Sequence, residues 1–335
     1  MRLDSLYLKK VLIIRTSSLG DVIHSLPFLS SLKKSFPSLR FYWLVKSSLS
    51  PLLRDNPHLQ GIISWEKRNA WEALSKLKAL AFDAAFDLQG LLRSALLPFL
   101  VRIPHRWGMA NSKEKVGVFY TESFLPSSSH IVDQYLDWAE SLGAERIVEF
   151  PLPREEKWER KAEDYFSSSR KKVIIIPGGG WANKRWPQAK YSKLIVSLAR
   201  KGFDVFVFWG KEEWELADRI RVTSSHKANL LPCLDIPGMV SFFKRADVIV
   251  GGDTGPLHLA AALQVPVVGI YGPTDPQRNG PYGKNNKIIF NAPPCAPCWK
   301  RKCGKKDNAC LKEIKVEKVC KAVEELIGRD KREKT

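Results

Sequence analysis

The sequence predicts an α/β protein with parallel sheets, and three observations carry that prediction. Short apolar, β-branched runs alternate with longer amphipathic stretches, the order that builds strands joined by crossover helices. The apolar runs are continuous rather than alternating, as expected of strands buried on both faces. The chain of 335 residues exceeds what one hydrophobic core usually serves, so two domains of roughly 150 residues each are expected.

In the first half the strands are predicted at Val11–Arg15, Phe41–Val45, Gly61–Trp65 and Ala84–Leu88. In the second they are predicted at Val173–Pro177, Val205–Trp209, Val248–Gly251 and Val267–Tyr271, with helices such as Tyr191–Lys201 and Trp214–Val222 between them. The pattern restarts near Val173, after a charged, poorly periodic stretch from Arg154 to Lys172. The boundary is placed in that stretch, giving domains 1–160 and 161–335. The charged tail from Gly328 to Thr335 is expected to fray.

Composition narrows the function classes. No run reaches the ~18 apolar residues of a membrane span, and Ala95 to Val101 is too short and is interrupted by Pro98, with Arg93 and Arg102 at its flanks. The N-terminus enters a strand without a cleavage-site pattern, so a cytoplasmic protein is expected. The net charge of +19 points to an anionic partner or to a lysine-rich solvated surface. A basic nucleic-acid-binding protein is the reading of another class, but no standard nucleic-acid motif is present and none is expected to bind.

In open parallel sheets, ligands bind beyond the carboxyl ends of the strands. The first such end reads Arg15-Thr16-Ser17-Ser18-Leu19-Gly20-Asp21, with Asp21 in the first turn of the following helix. A carboxylate there can serve as a general base towards a hydroxyl; capping of the helix by Ser18 or Asp21 is the simpler alternative. In the second half, Gly178-Gly179-Gly180 precede Lys184 and Arg185. This is neither a GxGxxG fingerprint nor a Walker A loop, yet its backbone can approach a phosphate closely. Glu212, Glu213 and Glu215 follow the next strand and are candidates for holding a ribose, or a plain acidic first turn. The sharpest local signal is Gly252-Asp253-Thr254-Gly255-Pro256-Leu257-His258, a polar turn delivered straight into a small-residue helix. Such a helix start offers N–H groups and a positive dipole end to a pyrophosphate.

Together Thr16–Pro27, Phe82–Gly90, Asp253–His258 and Tyr271–Pro276 resemble the motifs of the ADP-heptose:lipopolysaccharide heptosyltransferases, in family order and over most of the chain. Thr16–Pro27 and Tyr271–Tyr282 are most similar to the branch that adds heptose to the inner Kdo of lipid A. The resemblance implies a GT-B fold, two Rossmann-like domains whose parallel sheets face an interdomain cleft. The first domain would bind acceptor, the second the nucleotide-sugar donor. Asp21 matches the catalytic base of an inverting transfer. Gly179, Gly180, Lys184, Glu215, Asp253, Thr254, Gly255 and His258 match donor-binding positions, although the branch carries hydroxyl residues at Gly179 and Gly180. Ser17, Ser18, Gly20, Gln89, Arg93 and His130 fall on the acceptor side. The implied partners are an ADP-sugar, the anionic Kdo–lipid A acceptor and the cytoplasmic face of the inner membrane, with the protein a peripheral monomer that needs no cofactor for catalysis. A heptosyltransferase II-like enzyme or another GT-B sugar-nucleotide enzyme is the alternative within the fold.

Five of the six cysteines crowd the C-terminal segment, and Cys295, Cys298, Cys303 and Cys310 form C-x2-C-x4-C-x6-C. The first pair reads as half of a structural zinc site; free thiols or disulfides are the alternatives.

Overall fold

A computed structural model describes residues 3, 6–66, 68, 70–112, 114–305 and 307–330. The chain forms two compact units, Met1–Pro153 and Arg154–Thr335. In the first unit the elements run β1 (Lys10–Ile14), α1 (Leu19–Ser35), β2 (Arg40–Lys46), β3 (Leu59–Trp65), α2 (Ala70–Leu80), β4 (Ala84–Asp87), α3 (Leu92–Leu100), β5 (His105–Met109), β6 (Glu122–Phe124) and α4 (Ile131–Ser141). In the second they run α5 (Glu156–Tyr165), β7 (Lys172–Ile176), α6 (Gln188–Arg200), β8 (Asp204–Val207), α7 (Trp214–Thr223), β9 (Asn229–Leu230), α8 (Ile236–Phe243), β10 (Val248–Gly252), α9 (Gly255–Ala262), β11 (Val267–Tyr271), α10 (Pro276–Asn279), β12 (Asn286–Phe290), α11 (Ala309–Lys312) and α12 (Val316–Asp330).

Each unit holds one six-stranded sheet, ordered β3-β2-β1-β4-β5-β6 in the first and β12-β11-β10-β7-β8-β9 in the second. The paired strands are parallel. Counted within its own unit, the second order repeats the first. Both are doubly wound, and the strand order reverses between β1 and β4 and between β7 and β10. Chain leaving these four strand ends therefore diverges and leaves a crevice, where such sheets bind ligands.

Packing follows the pleat. In β8, Val205 and Val207 face the core made with α6, α7 and α12, while Phe206 faces the other way and meets Phe166 at 4.8 Å between ring centroids. Tyr165 and Phe166 of the α5 end also stack on Phe242 of α8, and Glu159 pairs with Arg245 at 2.9 Å. The charged stretch that reads as a linker is thus an amphipathic helix docked on the second sheet. That moves the unit boundary back to Pro153 from the expected residue 160. In the first unit, Phe86 on β4 is buried against Phe28 of α1, Trp107 of β5 and Trp138 of α4, at centroid distances of 5.1, 4.8 and 5.3 Å.

The eight expected strands are present, and β5, β6, β9 and β12 extend the sheets beyond them. Most of these added strands are short or carry Gly, Lys or Asn, so they lack a continuous apolar run. Of the tail expected to fray, Gly328 to Asp330 belong to α12, and residues 331–335 lie outside the described residues.

Truncating Phe86 to Ala opens a cavity under three aromatic rings. We expect a loss of about 3–5 kcal/mol, read as a lower urea midpoint for the first unit. An unchanged midpoint would contradict this packing.

Candidate functional site

The chain leaving β1 carries the first cluster. Arg15 is buried, and its terminal nitrogen lies 2.6 Å from Asp21 Oδ1. The other terminal nitrogen donates to the Leu88 carbonyl at the end of β4. The Ser18 N–H and Oγ–H both donate to Asp21 Oδ2, at 2.9 and 2.8 Å. Asp21 is therefore a helix-capping residue, as the simpler alternative held, and an ion-pair partner as well. A carboxylate offers about four lone-pair sites, and described residues fill three, two on Oδ2 and one on Oδ1. Among the described residues the remaining site, on Oδ1, has no partner, and the side chain is 34% exposed, so a proton from solvent or a ligand can reach it. Burial pushes the carboxyl's pKa up; the Arg15 guanidinium and the two Ser18 hydrogen bonds outweigh it and hold Asp21 well below the usual carboxylate range.

The chain leaving β4 braces this turn. Gln89 Oε1 accepts from the Thr16 N–H (3.1 Å), the Thr16 hydroxyl (3.2 Å) and the Ser17 N–H (3.3 Å). Gln89 is held in turn by buried Asp87, which accepts from the Gln89 and Gly90 N–H groups, Ser94 and Tyr120 at 2.8–3.1 Å. Gly90 has φ +64°, a left-handed conformation that glycine adopts at least cost. Ser17, Ser18, Gln89 and Asp21 are thus brought together, with Gly20 buried in the first turn of α1. His130 caps α4 by accepting from the Val132 N–H at 3.2 Å, and its ring lies 5.9 Å from that of His24, one turn beyond Asp21. Arg93 is exposed on the first turn of α3, apart from this hydrogen-bonded set.

The second cluster stands at the ends of β7 and β10. Asp253 is buried between Lys184 Nζ, 2.6 Å from Oδ2, and His258 Nε2, 3.1 Å from Oδ1. Burial pushes its carboxyl up, but His258 and Lys184 together hold it well below the carboxylate range. Thr254 is the N-cap residue of α9, with Pro256 in the first turn, yet its buried Oγ1 has no hydrogen-bond partner among the described residues. The glycines have separate reasons. A Cβ on Gly178 would fall 2.1 Å from the Glu213 carboxylate, and one on Gly252 2.8 Å from the Lys184 carbonyl. Gly179 abuts the Thr254 methyl, and a Cβ on Gly180 would have nothing within 4 Å, leaving room beside the loop. Backbone N–H groups, a lysine, a histidine and an unpartnered hydroxyl around a helix start are groups that can bind an anion.

Two residues of this cluster are less evident from sequence. Glu213 Oε1 accepts the Gly179 N–H (3.0 Å) and its Oε2 accepts the Gly210 N–H (3.1 Å), so it shapes the glycine loop. Glu215, the expected ribose residue, is exposed two positions further on, in the first turn of α7. Trp181 carries the Lys184 ammonium 4.5 Å from its ring centre and the Arg301 guanidinium at 5.5 Å.

The cysteine segment is tied to this cluster by hydrogen bonds. The Cys298 and Trp299 N–H groups donate to the Pro273 carbonyl, and Asn183 Nδ2 donates to that of Lys300. All six cysteines are free, and among the described residues no group of three or more His, Cys, Asp or Glu side chains is arranged to hold a metal ion. Burial, with Cys298, Cys303 and Cys295 nearby, pushes the Cys310 thiol up to about 11, so it stays protonated at neutral pH.

Replacing Arg15 by Gln removes the strongest influence that lowers the Asp21 pKa and leaves burial opposed by the Ser18 hydrogen bonds. Its pKa should rise, measured by carboxylate 13C NMR titration; an unmoved titration would contradict the pairing. The sign for stability follows. The depressed pKa stabilises the folded state above the unfolded value of about 4, and this is lost as pH falls through the native pKa. The Arg15→Gln deficit is therefore full at neutral pH and closes in acid.

With this geometry in view, the likeness to known proteins is specific. The glycosyltransferase family 9 (heptosyltransferase) profile matches residues 71–308. Lipopolysaccharide heptosyltransferase 1 of Pseudomonas aeruginosa is 30% identical over 317 residues, covering 88% of this chain and 87% of that protein. The solved E. coli heptosyltransferase WaaC with ADP superposes with a TM-score of 0.73 at 26% identity, over 95% of this chain and 99% of its own. E. coli ADP-heptose heptosyltransferase II, at 23% identity and a TM-score of 0.79 over 96% and 99% of the two chains, shares the fold. The chain belongs to glycosyltransferase family 9, the heptosyltransferases.

Proposed function

We propose that the protein transfers heptose from ADP-L-glycero-D-manno-heptose to the Kdo of lipid A, in lipopolysaccharide inner-core synthesis. The observation that carries this reading is the pairing of chemistries at matching strand ends. The first unit holds a carboxylate kept ionised, and the second an anion site at a helix start. The first suits an acceptor hydroxyl and the second a nucleoside diphosphate. The names of the relatives, heptosyltransferase 1 and WaaC with ADP, support the sugar and the nucleotide.

In this reading Asp21 Oδ1 takes the proton as the acceptor oxygen bonds to the anomeric carbon. The bond from that carbon to the donor phosphate breaks, and ADP leaves with the electron pair. Lys184, His258 and the start of α9 meet the charge that develops on the pyrophosphate. Asp253 orients Lys184 and His258, and Thr254 and Gly255 face the donor with Gly179 and Gly180. Glu215 is assigned to the ribose, and Ser17, Ser18, Gln89, Arg93 and His130 to the acceptor side. The protein works as a peripheral monomer on the cytoplasmic face of the inner membrane. Among the described residues no helix is long and apolar enough to cross a membrane.

The test is transfer from ADP-heptose to Kdo–lipid A. Wild type should transfer, Asp21→Ala should lose about 10²–10⁴-fold in kcat, and ADP should inhibit better than UDP. Lys184→Ala should lower kcat and also raise the donor's KM. No transfer by wild type would overturn the acceptor assignment, and full activity in Asp21→Ala would overturn the base.

A further inference from the structure

Apart from Arg93 and Ser94 the α3 helix is apolar, yet only part of it is covered. Ser94, Ala95, Leu97 and Pro98 face the core and are buried. Leu92, Leu96, Phe99 and Leu100, spaced i, i+4, i+7 and i+8, share the opposite face. There Leu92 is 50% exposed, Phe99 46% and Leu100 55%, and Leu96 is half-buried. The 3-10 turn Val116–Phe119 packs beside the helix and enlarges this face. Its Val118 is 84% exposed, and its Phe119 ring lies 5.4 Å from Phe99.

Cations border the same face. The Arg106 guanidinium lies 5.6 Å from the Phe99 ring centre, and its Nε donates to the Phe119 carbonyl at 2.9 Å. Arg93 and Arg102 stand exposed at the two ends of α3, and Lys115 immediately precedes the turn. One acid, Glu114, accepts the Leu92 N–H at 2.6 Å.

We propose that this α3 face is the surface by which the protein docks on an anionic lipid bilayer. An apolar stripe of this kind, left in water and edged by Arg and Lys, fits an interface that offers acyl chains beneath negative headgroups. A second copy of the chain would bring the same cations, and a net charge of +19, against them. The face also adjoins the proposed acceptor side. The helix starts three residues after Gln89 and carries Arg93, so a lipid-borne acceptor held at this surface lies next to the turn that holds Asp21. The inference rests on the reading that the acceptor is a membrane lipid.

The test is co-sedimentation with phosphatidylglycerol-containing phosphatidylcholine vesicles, with phosphatidylcholine alone as the comparison. Wild type should bind the anionic vesicles, less so at high salt, and the neutral ones weakly. Val118→Glu, at a fully solvated position, and the double variant Phe99→Ser/Leu100→Ser should each weaken binding about tenfold or more. Both should keep wild-type heptose transfer to a deacylated, water-soluble acceptor. Wild-type binding by the variants would overturn the proposal. So would sedimentation velocity showing a wild-type dimer that these substitutions dissociate. Transfer by a wild type that ignores anionic vesicles overturns the docking surface and leaves the transferase reading standing. Vesicle binding without any transfer does the reverse.

Discussion

A carboxylate taken out of water must keep a cation beside it, and both candidate sites are organised by that constraint. Asp21 and Asp253 stand just past strand ends, Asp253 buried and Asp21 34% exposed. At Asp253 an uncompensated charge would cost several kcal/mol; at Asp21 solvent reduces that cost. Arg15 answers Asp21, and Lys184 with His258 answers Asp253. The outcome differs because the surroundings differ. Asp21 retains an open lone pair and partial exposure, so it can still take up a proton. Asp253 is buried with one partner on each oxygen, which suits it to holding those two groups in place.

Precision in the first site comes from the sheet. Arg15 closes β1 and reaches the carbonyl that follows β4, while Gln89 ties the β4 end back to Thr16 and Ser17. Tyr120 and Ser94 brace Asp87 beneath Gln89. The turn that holds Asp21 is thus fixed from two neighbouring strands across the point where strand order reverses. The second unit repeats the device at β7 and β10, where Gly252 lets the Lys184 backbone approach and Glu213 shapes the glycine loop.

Much of this was readable from the chain because it is local. The continuous apolar runs at Val11, Ala84, Val173 and Val248 mark the four strands that flank the reversals, and the polar turns after them mark the sites. Asp21, Lys184, Asp253 and His258 stand in those turns. What was not readable depends on contacts far apart in sequence. Arg15 looks like an ordinary strand end until Leu88 and Asp21 enclose it. Glu213 is one of three acids until Gly179 selects it. Strands such as β5 and β9 are short and lack apolar runs, so pairing alone defines them. The helix α5 looked like a linker because its charged face hides the aromatic end that packs on Phe206 and Phe242. The cysteine spacing did not reveal that main-chain hydrogen bonds from Cys298 and Trp299 to Pro273 anchor that loop.

The central claim is that one ionised carboxylate, Asp21, acts as a base in a direct displacement at the sugar. The most direct measurement is the stereochemical course of a single turnover, read from the anomeric NMR signals of donor and product. A single base and a direct displacement predict inversion at the anomeric carbon. Retention of configuration, with a glycosyl ester trapped on Asp21, would contradict the account.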